Sequence, residues 1–148
     1  MRAVVQRVSK ASVSTSDGIT GHIGRVLVVL VGVASGDGTA DIEYIASKIR
    51  ELRVFPDENG KMNRSLAESG GQLLVVSQFT LMGDVRRGRR PAFDGAAPPD
   101  VARTTFTALL DRLRDGGPVE TGVFQAHMDV ALNNDGPVTV LLDSRRVF

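Results

Sequence analysis

Apolar and polar positions alternate from the start of the chain. Ala3 to Val13, rich in valine, predicts an extended strand. Ser16-Asp17-Gly18 marks a turn, and Ile19 to Arg25 and Val26 to Val33 predict two further strands with Gly24 near their junction. Every position from Val26 to Val33 except Gly32 is apolar, the mark of a strand covered on both faces or lying at a subunit interface. Behind Gly36-Asp37-Gly38 the period changes. Ile42, Ile45, Ala46, Ile49 and Leu52 recur at helical spacing, with Thr39 as N-cap and Asp41 and Glu43 near the positive end of the helix dipole. Pro56 ends regular structure and Asp57-Glu58-Asn59-Gly60 reads as a turn. Gln72 to Leu81 predicts a strand. Pro98-Pro99 opens a second helix whose buried side is Val101, Ala102, Phe106, Leu109, Leu110 and Leu113, and Gly116-Gly117-Pro118 ends it. Val119 to Phe124, Met128 to Leu132 and Val138 to Leu142 predict strands, with Asn133 to Pro137 as a turn between the last two.

This order predicts an α/β chain: a single compact domain over residues 1–148, with a mostly antiparallel or mixed sheet and two main helices. A length of 148 residues suits one domain, and 42% hydrophobic with 24% charged residues excludes a disordered chain. The longest apolar run, Val26 to Val31, is six residues, against the ~20 of a membrane-spanning helix. Met1 leads into a strand pattern and not a secretory signal, so a cytoplasmic protein without membrane attachment is expected. The absence of cysteine removes disulfides, thiolate metal sites and a cysteine nucleophile. Two histidines, His22 and His127, are too few for a multi-histidine metal centre within one chain. Neither a Rossmann fingerprint nor a Walker A sequence is present. No metal or cofactor is expected.

The net charge of +1 does not make the molecule a general ligand for polyanions, but the charge is unevenly spread. Arg86, Arg87, Arg89 and Arg90 fall within Gly83 to Pro99, 17 residues of weak periodicity where a bland connection runs to ~12–15. The cluster suits either a solvated loop or a contact for phosphates such as those of RNA. Ser77-Gln78-Phe79-Thr80 stands at the C-terminal end of an apolar strand, where sheet folds expose functional groups; the bland alternative is a fraying strand. As a nucleophile Thr80 lacks a neighbour to activate it, since no His, Asp, Glu or Lys lies within three residues. A base from His22 or His127 is the remaining route to a Ser/Thr hydrolase. Asn134 to Thr139 reads locally as a hairpin turn, or as a rigid hook offering carbonyl oxygens to an ammonium group. Phe124 and Met128 fit either the core or a flat apolar slot for a nucleobase.

Taken together and in order, these segments resemble the D-aminoacyl-tRNA deacylase family, also called D-tyrosyl-tRNA deacylase. The motifs that carry the resemblance are Ser77-Gln78-Phe79-Thr80-Leu81 and Asn134-Asp135-Gly136-Pro137-Val138-Thr139. Matching flanks are Val5-Gln6-Arg7-Val8, Ala11-Ser12-Val13, Gly60-Lys61-Met62-Asn63 and Gly88 with Arg90-Pro91. The likeness runs from residue 1 to 142. Departures are confined to Gly83, Arg89 and Ala92 in the basic loop, and to a tail from Asp143 to Phe148 whose Arg145 and Arg146 read as solvated.

The resemblance implies a homodimeric hydrolase of the ester joining a D-amino acid to the 3′ end of tRNA, a proofreading activity in translation, with mischarged glycyl-tRNA as a further substrate. Ser77, Gln78, Phe79 and Thr80 would line the reacting carbonyl. Gly136 and Pro137 would form a Gly-cisPro element that enters the partner subunit's pocket, rejects L-amino acids and holds the substrate ammonium. Arg7 would support that element. Phe124 and Met128 would hold the terminal adenosine, and Arg86, Arg87, Arg89 and Arg90 would contact tRNA. Backbone N–H groups near Phe79 and Thr80 would stabilise the oxyanion, with the ribose 2′-hydroxyl helping to activate water. Thr80 as covalent nucleophile is the second mechanism. A non-catalytic RNA-binding module, resting on the arginine cluster, is the rival class.

Overall fold

A computed structural model describes residues 1–24 and 26–148. Its elements are β1 (Arg2–Thr15), β2 (Gly18–Ile23), β3 (Val26–Gly32), α1 (Thr39–Glu51), β4 (Phe55–Pro56), β5 (Met62–Arg64), β6 (Leu73–Ser77), α2 (Pro99–Arg114), β7 (Val119–Thr121) and β8 (Asp129–Asp143), with a 3-10 turn, Phe79–Met82, after β6. The main sheet is mixed. One edge of β1 pairs antiparallel with β3 over Arg2 to Val8 and with β2 over Ala11 to Thr15; its other edge pairs with β8. β3, β6 and β7 continue the sheet in parallel. Both helices lay their apolar faces on it, and Ile45, Ile49, Phe106, Leu109 and Leu113 join Leu27, Val29, Leu74 and Val75 in one buried core. The chain's own layers thus account for the apolar run Val26 to Val31, which lies on a central strand and not at a subunit surface.

The predicted α/β class holds, and the differences are local. β2 ends at Ile23, and Arg25, the end expected of that strand, lies outside the described residues. The N-cap of α1 is Gly38 rather than Thr39: the Asp41 carboxylate accepts the Gly38 N–H at 2.9 Å, leaving Thr39 as the first helical residue. Pro56 does not end regular structure, since Asp57–Gly60 joins the short hairpin β4–β5 and the Asp57 carboxylate accepts the amides of Asn59 and Lys61. The strand expected over Gln72 to Leu81 stops at Ser77, and that expected over Val119 to Phe124 stops at Thr121. The expected turn at Asn133 to Pro137 is the largest correction. β8 runs through it as one strand, because β1 pairs with β8 on both sides of that segment and the surplus residues loop out.

The segment after β8 is anchored. Asp143 is the buried last residue of β8, and Ser144 donates its N–H to the Met1 carbonyl at 2.9 Å. Arg145 donates to the Ser35 carbonyl at 2.6 Å, and Arg146 lies over the Tyr44 ring. The Met1 ammonium is 2.7 Å from Asp37 Oδ2 and 2.7 Å from Ser144 Oγ. The Asp37 side chain is fully buried, and its Oδ2 also accepts the Ala34 N–H at 2.6 Å. Burying two charges is tolerable here because each has several partners. Asp37→Asn is therefore expected to lower stability by about 3 kcal/mol, the usual cost of orphaning one member of a buried pair, read as a drop in the urea midpoint with an unchanged slope.

Candidate functional site

β3 and β6 run parallel and end side by side, and Gln78 donates its N–H to the Val31 carbonyl at 2.7 Å as the chain leaves the sheet. The 3-10 turn that follows packs on Gly32. A Cβ at Gly32 would lie 2.9 Å from the Gln78 carbonyl oxygen and 3.0 Å from Leu81 Cβ, so only glycine admits the turn this close to β3. Leu81 N–H bonds back to Gln78 O at 3.2 Å, and the N–H groups of Phe79 and Thr80 come first in the turn, where no carbonyl of the turn itself can accept them. Phe79 and Thr80 border a cleft of about 520 Å³. Ser77, Gln78, Phe79 and Thr80 form one wall, Ala102 and Phe106 of α2 another, and Phe124 to Met128 a third.

Among the described residues no Asp, Glu, Lys or Arg lines this cleft, and His127 is the one titratable side chain there. Among the described residues His127 makes no hydrogen bond to Ser77 or Thr80; the Thr80 hydroxyl instead accepts the Gln78 side-chain amide. His22 sits on β2, away from the cleft. Phe124 and Met128 are half-buried against the core and also form part of the cleft wall. Phe106 and Gln125 also line it, though periodicity marks Phe106 only as a core residue. Phe79 is largely exposed and its ring packs against Phe93 at a tilt of 44°, with ring centres 4.7 Å apart. Among the described residues no group of three His, Asp or Glu side chains is placed to hold a metal ion.

Gly136 and Pro137 are not in this cleft. Between the pairs Gln6↔Thr139 and Val8↔Asn134, Arg7 alone on β1 faces the four residues Asp135, Gly136, Pro137 and Val138. The surplus forms an exposed bulge, with Gly136 at φ +134° and a cis Gly136–Pro137 peptide. Asn134 ties off its base: Oδ1 accepts the Val138 N–H at 2.7 Å and Nδ2 donates to Thr139 Oγ1 at 3.0 Å. The Arg7 guanidinium supports it from beneath. Nε donates to the Asp135 carbonyl at 3.0 Å, Nη1 donates to the Val54 carbonyl at 2.5 Å, and the Asp135 carboxylate is 3.6 Å away. A Cβ at Gly136 would stand 3.2 Å from Arg7 Nη2 and 2.8 Å from Val138 Cγ2.

The arginine cluster lies outside the cleft, on a loop closed at its neck by paired Asp84 and Ala92 backbones. Arg86 differs from its neighbours. Its guanidinium pairs with the Asp84 carboxylate at 2.5 Å, while Arg87, Arg89 and Arg90 are exposed and, among the described residues, face no carboxylate.

A family profile described as D-Tyr-tRNA(Tyr) deacylase matches residues 4–143. A protein of Anaeromyxobacter dehalogenans (strain 2CP-C) named D-aminoacyl-tRNA deacylase is 57% identical, with 100% of both chains covered. A solved structure described as c-Myc DNA Unwinding Element Binding Protein is 39% identical, with a TM-score of 0.92 over 97% of this chain and 98% of that one. A second, described as a probable eukaryotic D-amino acid tRNA deacylase, is 17% identical at a TM-score of 0.82 over 95% and 97% of the two chains, a likeness of fold.

The side-chain and backbone hydrogen bonds from Arg86 hold the Asp84 carboxyl well below the usual aspartate range, at about 2. A depressed folded value favours the paired loop above the ordinary aspartate pKa of ~3.9 and withdraws that support as pH falls towards 2. Carboxyl-detected NMR is expected to place the Asp84 midpoint near 2, and to move it up towards ~3.9 in Arg86→Gln. An unmoved midpoint in that variant would separate the shift from the ion pair.

Proposed function

The chain belongs to the D-Tyr-tRNA(Tyr) deacylase family, and from that premise we propose that it hydrolyses the ester between a D-amino acid and the terminal adenosine of tRNA. One observation carries the mechanism: among the described residues, Phe79 and Thr80 of the cleft wall have N–H groups with no backbone acceptor, and no charged side chain lines the cleft. Such a site can stabilise a developing oxyanion but is poorly equipped to deprotonate water. The substrate supplies what is missing, because an aminoacyl ester carries a ribose hydroxyl beside the reacting carbon.

Water then adds to the ester carbonyl with the 2′-hydroxyl relaying its proton. The N–H groups of Phe79 and Thr80 receive the oxyanion, a kind of contact worth ~3 kcal/mol per donor. Collapse of the tetrahedral intermediate releases the amino acid, and the departing ribose oxygen takes up the proton. Ser77 and Gln78 complete the wall beside the carbonyl, and Phe124 and Met128 hold the adenine. Thr80 is second choice as nucleophile, since its hydroxyl is engaged by Gln78 and no base touches it.

Chirality is assigned to Gly136 and Pro137. They lie outside the cleft of their own chain, so the assignment calls for a homodimer in which each bulge enters the other subunit's cleft. The exposed bulge supports this, as does the outer edge of β8, which has no strand partner among the described residues. Backbone carbonyls there would hold the substrate ammonium, and the same backbone would meet an L side chain while leaving room for a D side chain or for glycine. Arg7 acts as a positioning residue for the bulge. Arg87, Arg89 and Arg90 contact tRNA phosphates, with Arg86 committed to Asp84. A second reading, nucleic-acid binding without turnover, draws on those three free arginines and on the DNA-binding name of the 39% identical relative.

The deciding measurement is amino-acid release from paired D- and L-tyrosyl-tRNA by purified, metal-free protein. Loss of the D-ester alone is expected; release from neither, with tRNA binding intact, would favour the second reading. The mechanism is tested separately by Thr80→Ala and by substrate with a 2′-deoxy terminal ribose. Thr80→Ala is expected to keep kcat within about tenfold, and the deoxy substrate to lose about 10²–10⁴-fold, the range of a general-base contribution. The reverse pattern would make Thr80 the nucleophile.

A further inference from the structure

Among the described residues no charged side chain lines the cleft, yet a cation is fixed at its rim. Arg103 projects from α2, one residue after Ala102 and three before Phe106, both of which line the cleft. Its guanidinium carbon sits 4.6 Å from the centre of the Phe124 ring, and Nη2 donates to Gln125 Oε1 at 2.9 Å. Phe124 and Gln125 are themselves cleft residues, so Arg103 is pinned to the wall at two points. Its partners differ from those of the surface arginines held in ion pairs. Arg64, Arg112 and Arg145 each face a carboxylate. Among the described residues Arg103 faces none, being held by a neutral ring and a neutral amide. Its charge is uncompensated, and guanidinium N–H groups remain for another acceptor.

We infer that Arg103 binds the phosphate on the 5′ side of the substrate's terminal nucleoside. The inference rests on the proposal that Phe124 and Met128 hold that nucleoside. A nucleoside is neutral and suits an uncharged cleft; its 5′ phosphate, one sugar away, falls towards the mouth. A guanidinium fork there matches the phosphate oxygens. Contact with Phe124 also restricts the Arg103 side chain before the substrate arrives, which reduces the freedom lost on binding. The arginine loop engages phosphates elsewhere on tRNA; Arg103 fixes the reacting end.

The test is calorimetric titration of the full chain with adenosine and with adenosine 5′-monophosphate, for wild type, Arg103→Gln and Arg103→Lys. Wild type is expected to bind the monophosphate about tenfold more tightly than adenosine, as one charge-assisted contact provides. In Arg103→Gln that ratio should fall to about one with adenosine affinity little changed, and Arg103→Lys should keep part of it. A wild-type ratio of one, or a ratio that survives Arg103→Gln, overturns the inference and leaves the nucleoside site standing. Equal weakening of both ligands overturns it too, since Arg103 would then only brace Phe124. Failure of both ligands to bind wild type that still cleaves D-aminoacyl-tRNA overturns the nucleoside site and the inference with it.

Discussion

β1 is hydrogen-bonded along both edges, and the fit of β8 to it governs much of the molecule. Between Asn134 and Thr139, β8 carries more residues than β1 can pair. Surplus length in a paired strand must slip the register or loop out. A one-residue slip would turn Val130, Leu132, Val138 and Val140 away from the core they now pack against. The surplus loops out instead, and Gly136 and Pro137 become the exposed tip. The gap beneath is filled by Arg7, whose guanidinium needs acceptors because little of it reaches water. It finds them in the Asp135 carbonyl of the bulge and the Val54 carbonyl just before β4. A packing constraint on one strand pair thereby fixes the position of the backbone assigned to substrate selection.

A second chain of support reaches the cleft from the terminus. The Met1 ammonium and the Ala34 N–H share the Asp37 carboxylate, which fixes the turn after β3. That turn holds the segment leading into α2: Ser35 donates its N–H to Gly95 O at 2.9 Å, and Ala97 donates to Val33 O at 3.0 Å. Ala97 and Pro99 belong to the cleft wall. The buried ion pair and the uncharged cleft are therefore linked through a few backbone bonds. A buried charge pair thus holds the scaffold behind a cleft that, among the described residues, no charged side chain lines.

The sequence was most informative where patterns were long. Both helices, the buried strands and the α/β order follow from periodicity, and Ser77 to Thr80 stands out as polar chemistry ending an apolar strand. Failures arose where a local signal had two structural outcomes. Asn134-Asp135-Gly136-Pro137 is as good a hairpin turn as it is a bulge, and only pairing with β1, more than 120 residues earlier, decides. Leu81 and Met82 extend the apolar run beyond Ser77, but close packing on Gly32 turns them into a 3-10 turn. The Met1 ammonium is not a letter of the sequence and has no pattern. Arg103 and Phe124 are far apart along the chain and meet only when α2 lies beside the segment after β7.

A filter made of backbone has consequences for substrate range. A side-chain pocket recognises its ligand by size and polarity, and adding or removing one methylene changes discrimination by about 1–3 kcal/mol. On the proposed reading the bulge does not measure the amino-acid side chain; it occupies the direction an L side chain would take from the α-carbon. Every D-amino acid presents a hydrogen in that direction, so the filter treats them alike and imposes little preference among them. Glycine presents a hydrogen there too. A steric test of this kind has no means of distinguishing it from a D-amino acid, and any protection of correctly made glycyl-tRNA must come from a contact to the RNA or from another protein.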